Sequence, residues 1–191
     1  MLANSSKGDT IIEVLLAVTV FFVFSGGGVG IIKHGGSGSQ QALETTQVKQ
    51  QIDSQAEALR AAHQAKIQND PRKTIWEGLP VNTASSTAVN PSVCAPIPTG
   101  AFVMNPRTGM KSTFNPQPMD ADSPMPYAGI WFANETDTTV KSTNGLWIEA
   151  KQYGAVEGIR GYREFRIRAC WPVAGSSIPK TIETLVRLHE P

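Results

Sequence analysis

One carboxylate in this chain stands where carboxylates are rare. Glu13 lies within Ile11 to Ile32, a stretch with no other ionisable residue. A carboxylate in apolar surroundings costs free energy unless it snorkels, neutralises or finds a partner. Elsewhere the chemistry is thin. His34, His63 and His189 lie far apart, and none sits at His-x-x-x-His or Cys-x-x-Cys spacing. No phosphate loop, dinucleotide fingerprint or nucleophile elbow is spelled out. Asp120-Ala-Asp122-Ser-Pro124 lacks the glycine and distal glutamate of a calcium loop and reads as a polar turn. Asn134-Glu-Thr136 is a glycosylation triplet by spelling only. The chain is therefore read as a non-enzyme, with no cofactor and no metal.

Two further groups bear on function. Cys94 and Cys170 are the only cysteines. They form one disulfide or remain buried thiols, since spacing does not fix proximity. Arg160, Arg163, Arg166 and Arg168 alternate with Tyr162, Phe165 and Trp171. Together these could make a surface basic patch of the kind that binds DNA. On a strand, however, Phe165 and Trp171 fall opposite Arg166 and Arg168. That favours a core on one face and a solvated or ion-paired face on the other.

The elements that hold these residues follow from composition and pattern. The 191 residues suit one domain, or one domain with an appendage. With 40% hydrophobic and 17% charged residues the chain is too apolar to be disordered. A net charge of +1 gives no reason to expect a general polyanion binder. A mean hydropathy of −0.17 excludes a polytopic membrane protein. The apolar residues are concentrated instead. As a helix, Ile11 to Ile32 would measure about 33 Å, enough for a hydrocarbon core of about 30 Å. Removal as a secretory signal after Ser25-Gly26-Gly27-Gly28 is the competing reading. The run continues beyond those glycines, and an acid at its start is out of place in a signal peptide.

The residues around Glu13 sharpen this. Lys7-Gly8-Asp9-Thr10-Ile11-Ile12-Glu13-Val14-Leu15-Leu16-Ala17 resembles the start of a type IV prepilin. In that family a short basic leader ends in glycine, and a prepilin peptidase cuts after it on the cytoplasmic side. The fifth mature residue is glutamate, and a long apolar helix follows. The resemblance implies cleavage between Gly8 and Asp9 and an assembly role for Glu13. Asp9 takes the position that is usually phenylalanine or methionine and becomes N-methylated. Asp9 departs from that pattern, and it is the position at which the resemblance places methylation.

Beyond the leader (residues 1–8) and the apolar helix (9–33), Gly and Ser at 34–39 read as a hinge. Residues 40–70 read as an amphipathic helix that continues the spine, with Val48, Ile52, Gln55, Leu59, Ala62 and Ile67 on one face. Pro71 ends it. Residues 71–128 hold ten of the 13 prolines and form an irregular connection, with short strands around Gly100 to Met104. Residues 129–191 are β in pattern. Thr138 to Lys141 and Leu146 to Ala150 flank Asn144-Gly145, a hairpin signal. Tyr162 to Trp171 and Thr181 to Leu188 alternate.

The expected fold is α+β and pilin-like, with a long N-terminal helix, transmembrane in its first half, packed on a C-terminal antiparallel sheet. The resemblance implies a structural subunit of a type IV pilus-like filament, more a minor pilin than the main one. Its globular domain would be exposed for adhesion or interaction. Implied partners are other pilin subunits, a prepilin peptidase, an inner-membrane assembly platform and the membrane itself, through residues 11–32. A host surface or DNA is a further candidate. The chain would cross the membrane once, with its N-terminus cytoplasmic and its globular domain outside, before joining an extracellular filament. Two alternatives stand beside this: a pseudopilin of a type II secretion or DNA-uptake machine, and a single-span anchored extracytoplasmic binding domain.

Overall fold

The computed structural model describes residues 9–82, 94, 96–113, 115–119, 125–156, 160–173 and 176–190, without the side chains of 9, 10 and 23–37. The leader, Gly8 and the Asp120 to Pro124 turn lie outside the described residues. The chain forms two compact units, Met1–Ala42 and Leu43–Pro191. Helix α1 (Asp9–Ile67) begins in the first and ends in the second. The Gly/Ser stretch at 34–39, read from sequence as a hinge, belongs to this helical element. Each of its glycines costs a helix interior about 1 kcal/mol relative to alanine.

The second unit is α+β, a helix packed on antiparallel sheets. Its part of α1 buries Val48, Ile52, Gln55, Ala56, Leu59 and Ala62. These recur at steps of three and four, as one helix face requires. Ile67, expected on that face, is 51% exposed, and Ala65 is buried instead. The helix is already ending there. Asn69 turns to φ 54°, its N–H bonds the Lys66 carbonyl, and the Asp70 N–H bonds the Ala65 carbonyl. This is the Schellman closure that asparagine tolerates. A short helix, α2 (Lys73–Glu77), then opens the proline-rich stretch. It delivers the fully buried Trp76 to the core.

Among the described residues five strands follow: β1 (Gly129–Phe132), β2 (Val140–Asn144), β3 (Leu146–Tyr153), β4 (Tyr162–Trp171) and β5 (Lys180–His189). They make two sheets, β1-β2 and β3-β4-β5, each antiparallel. The hairpin expected at Asn144-Gly145 is not formed. β2 pairs with β1 and β3 with β4, so the dipeptide is a corner between sheets. A two-residue hairpin turn of type I′ needs positive φ at both central residues. Here Gly145 alone has it, at 62°. The Gly145 N–H bonds the Gln117 carbonyl, and its own carbonyl accepts from the Cys170 N–H. A Cβ on Gly145 would sit 2.1 Å from the Cys170 carbonyl oxygen, so only glycine fits.

The core lies between α1 and the sheets. Leu146, Ile148 and Ala150 of β3 face the helix, with Phe165, Ile167, Ala169 and Trp171 of β4. The first sheet reaches the same core through Ile130 and Val140. Phe102 and Met104, in the segment expected to hold short strands, make isolated bridges to Ile148 and Lys111. Each large apolar side chain buried here contributes about 1.5–3 kcal/mol.

Candidate functional site

In the first unit, the described side chains of α1 from Ile11 to Phe22 are all exposed. Ile11, Ile12, Val14, Leu15, Leu16, Val18, Val20, Phe21 and Phe22 range from 44% to 68% exposure. They leave no polar face. At 100° per residue, these positions together with Ala17 leave no gap wider than about 60° around the helix, and Glu13 stands in one such gap. A helix apolar all round is one that something else surrounds. Thr19 hides its hydroxyl by donating to the Leu15 carbonyl at 2.7 Å. Glu13 is the one ionisable side chain in this set and is exposed. It follows Asp9 by four residues, one helical turn. Among the described residues no helix is long and apolar enough to cross a membrane. The side chains of 23–32, the outer part of the apolar run, lie outside them.

In the second unit, Cys94 and Cys170 are joined by a disulfide, Cα to Cα 5.5 Å, across 76 residues of sequence. Cys170 points away from α1, because its neighbours Ala169 and Trp171 occupy the helix side of β4. Cys94, Ala101, Trp147 and Cys170 form a second small buried cluster on that outer face, with Ile97 packed against it. The bridge thus pins the irregular connection over the back of the sheet.

The four arginines separate. Arg168 sits on the outer face, 14% exposed in its side chain, between Glu149 at 3.3 Å and Glu183 at 2.9 Å. Glu149 also accepts from the Trp147 indole at 2.9 Å. Arg163 lies on the helix side. It bonds Glu190 at 2.6 Å and the Trp76 carbonyl at 3.0 Å, with its guanidinium over the Trp76 ring. These two are spent on ion pairs within the fold and contribute little to a basic patch. Arg166 is half-buried on β4, and Arg160 is exposed. Arg160 lines an open depression of about 570 Å³ with Tyr153, Gly161 and Glu190.

Two residues have structural roles that the sequence pattern does not show. Gln55 falls on the helix face by spacing, and its amide exchanges two hydrogen bonds with the Met104 backbone. Trp76 carries no such signal. It packs against His63, Phe165 and Arg163. Its five-residue helix is too short to leave a periodic signal.

Charged groups secure the joint after α1. Hydrogen bonding from Lys66 at 2.6 Å holds the Glu77 carboxyl below its ordinary value. The Asp70 carboxyl is likewise lowered by side-chain and backbone hydrogen bonds from Arg72. Pairing with Glu164 raises the Arg187 guanidinium. Among the described residues no cluster of His, Cys, Asp and Glu could hold a metal ion. The Asn134 side chain is engaged in its own turn, accepting from Thr136. No protein-family model, curated protein or solved structure matches this chain.

Proposed function

We propose that this chain is a type IV pilin-like subunit, made as a prepilin and assembled into a filament through its N-terminal helix. The observation that carries this is the helix from Ile11 to Phe22, apolar around its whole circumference with Glu13 near its start. Such a helix requires apolar surroundings on every side, which a bilayer supplies first and a bundle of like helices supplies afterwards. The order Lys7, Gly8, Asp9, Glu13 at the head of that helix supports leader cleavage. A helix packed on antiparallel sheets, stapled by a disulfide, suits a domain carried outside the cytoplasm.

The mechanism of assembly rests on one charge pair. Cleavage after Gly8 gives Asp9 a new α-amino group. In apolar surroundings that amine and a carboxylate each gain from the other. The amine of an entering subunit meets Glu13 of a neighbour and sets the stagger of the two helices. Methylation of Asp9, where it occurs, preserves the positive charge. The Asp9 carboxylate competes for the same amine and weakens the contact.

Glu13→Ala is expected to leave insertion and leader cleavage intact and to reduce incorporation into filaments. Glu13→Gln retains a hydrogen bond and is milder. Sheared filaments are compared with the membrane fraction for each variant. Normal incorporation of the alanine variant would reduce Glu13 to a snorkelling acid.

A further inference from the structure

Strand β5 is the last in the order β3-β4-β5, and among the described residues no strand pairs with its outer edge. The direction of its backbone groups follows from its neighbours. The Cys170 N–H bonds Gly145 on the β3 side. Even-numbered residues of β4 therefore turn their N–H and C=O groups toward β3, and odd-numbered ones toward β5. The β4-β5 register runs without interruption, with Phe165 opposite Val186 and Ile167 opposite Thr184. Even-numbered residues of β5 thus bond β4, as the Glu190 N–H to Gly161 carbonyl bond also requires. Glu183, Leu185 and Arg187 are left with backbone groups directed outward. The edge ends at His189, whose carbonyl oxygen is taken by His63 at 2.7 Å.

The side chains of these three residues stand on the face of the sheet away from α1. Along the strand they read acid, apolar, base. Read backwards they are base, apolar, acid. An antiparallel copy centred on Leu185 therefore sets Glu183 against Arg187 of the second copy, Leu185 against Leu185, and Arg187 against Glu183. Moving the centre by two residues opposes Glu183 to Glu183 or Arg187 to Arg187. Moving it by one sets leucine against Glu183 in one direction and against Arg187 in the other. Only the Leu185-centred register matches opposite charges across the strands.

The rest of the face prepares the same match. Glu183 already bonds Arg168 at 2.9 Å, and Arg187 bonds Glu164 at 3.0 Å. Joined, the row reads Arg168, Glu183, then Arg187 and Glu164 of the second copy, alternating in sign throughout. Leu185, 49% exposed between Glu183 and Arg187, meets its own copy at the centre. We infer that β5 is a self-pairing edge, through which two copies of this chain join antiparallel about a two-fold axis at Leu185 into one six-stranded sheet. The three outward pairs supply about six backbone hydrogen bonds. A two-fold reverses the direction of the second chain, so this contact is distinct from any polar helical contact made through α1.

Cysteine cross-linking of the full-length chain in detergent micelles tests the register. Residues facing each other in a hydrogen-bonded pair have Cα atoms about 5.5 Å apart, within disulfide reach. Leu185→Cys is therefore expected to link to itself on mild oxidation. Glu183→Cys and Arg187→Cys are each expected to stay unlinked alone, since like residues lie roughly 13 Å apart along the pair. Mixed together, the two are expected to link. Leu185→Lys, at an exposed position that the fold tolerates, is expected to weaken the dimer roughly tenfold in sedimentation. If Leu185→Cys fails to link, or Glu183→Cys links alone as readily as in the mixture, the inference is wrong. Association through the apolar helix alone gives links without register dependence and also overturns it. The register-dependent links are expected unchanged in a Glu13→Ala background, so loss of filaments and loss of this contact are read separately.

Discussion

The side-chain amide of Gln55 is bonded to Met104 twice over. Its Nε2 donates to the Met104 carbonyl at 2.8 Å, and the Met104 N–H donates to its Oε1 at 2.7 Å. Both residues are fully buried. The amide presents one donor and one acceptor side by side, as a neighbouring strand would. It thereby joins helix α1 to a segment that no strand partner satisfies at that residue in full. One polar side chain in an apolar helix face thus fixes the irregular connection against the core.

Gln55→Leu keeps the volume but strands a buried N–H and a buried carbonyl on Met104. Each unsatisfied group costs about 1–3 kcal/mol, so a loss of about 2–6 kcal/mol is expected in chemical denaturation. A loss under about 0.5 kcal/mol would mean that the pair adds nothing beyond the packing around it.

The bridge between Cys94 and Cys170 closes a loop of 76 residues. In the loop-entropy relation such a closure stabilises by roughly 4 kcal/mol. Non-reducing peptide mapping should recover one linked peptide pair. The double variant Cys94→Ala/Cys170→Ala should unfold at lower denaturant with a similar native spectrum. Two free thiols in freshly alkylated cells would contradict the pairing.

Acid should loosen the α1–α2 joint before it affects the core. Glu77 and Asp70 have folded-state values below their ordinary 4.5 and 3.8. A depressed carboxylate stabilises the fold above its unfolded value, and that contribution is lost as pH falls through the folded value. Stability should therefore decline below about pH 4.5 and continue to fall with further acidification. Glu77 is exposed and Asp70 half-buried at the surface, so salt should reduce the effect. Glu77→Gln should flatten this limb while leaving stability at pH 9 lower than that of the parent chain. An unchanged acid limb would show that Lys66 and Glu77 do not interact in solution.

Much of this architecture is legible in the residues. Alternation in Tyr162 to Trp171 identifies β4 and its buried face, because period two is unambiguous over ten residues. Steps of three and four place Val48, Ile52, Leu59 and Ala62 on the core side of α1. What was hidden depends on tertiary partners. Asn144-Gly145 has the letters of a hairpin, but pairing of β2 with β1 and of β3 with β4 overrides the local turn. The arginines look alike in sequence, yet Arg163 and Arg168 are consumed by Glu190, Glu149 and Glu183, none of them sequence neighbours at helical spacing. Gln55 and Trp76 carry roles that no period encodes, since each is defined by what it meets across the fold. Of the segment proposed for assembly, Glu13 and the apolar side chains from Ile11 to Phe22 are seen directly, while Gly8 and the side chains of 23–32 lie outside the described residues.

The N-terminus of the mature chain, taken from membrane extracts and read by sequencing with intact mass, tests the pilin-like reading most directly. The expected first residue is Asp9, with the apolar helix retained in full. A mature chain starting near Gly28, or one that keeps Met1 to Gly8, would contradict it.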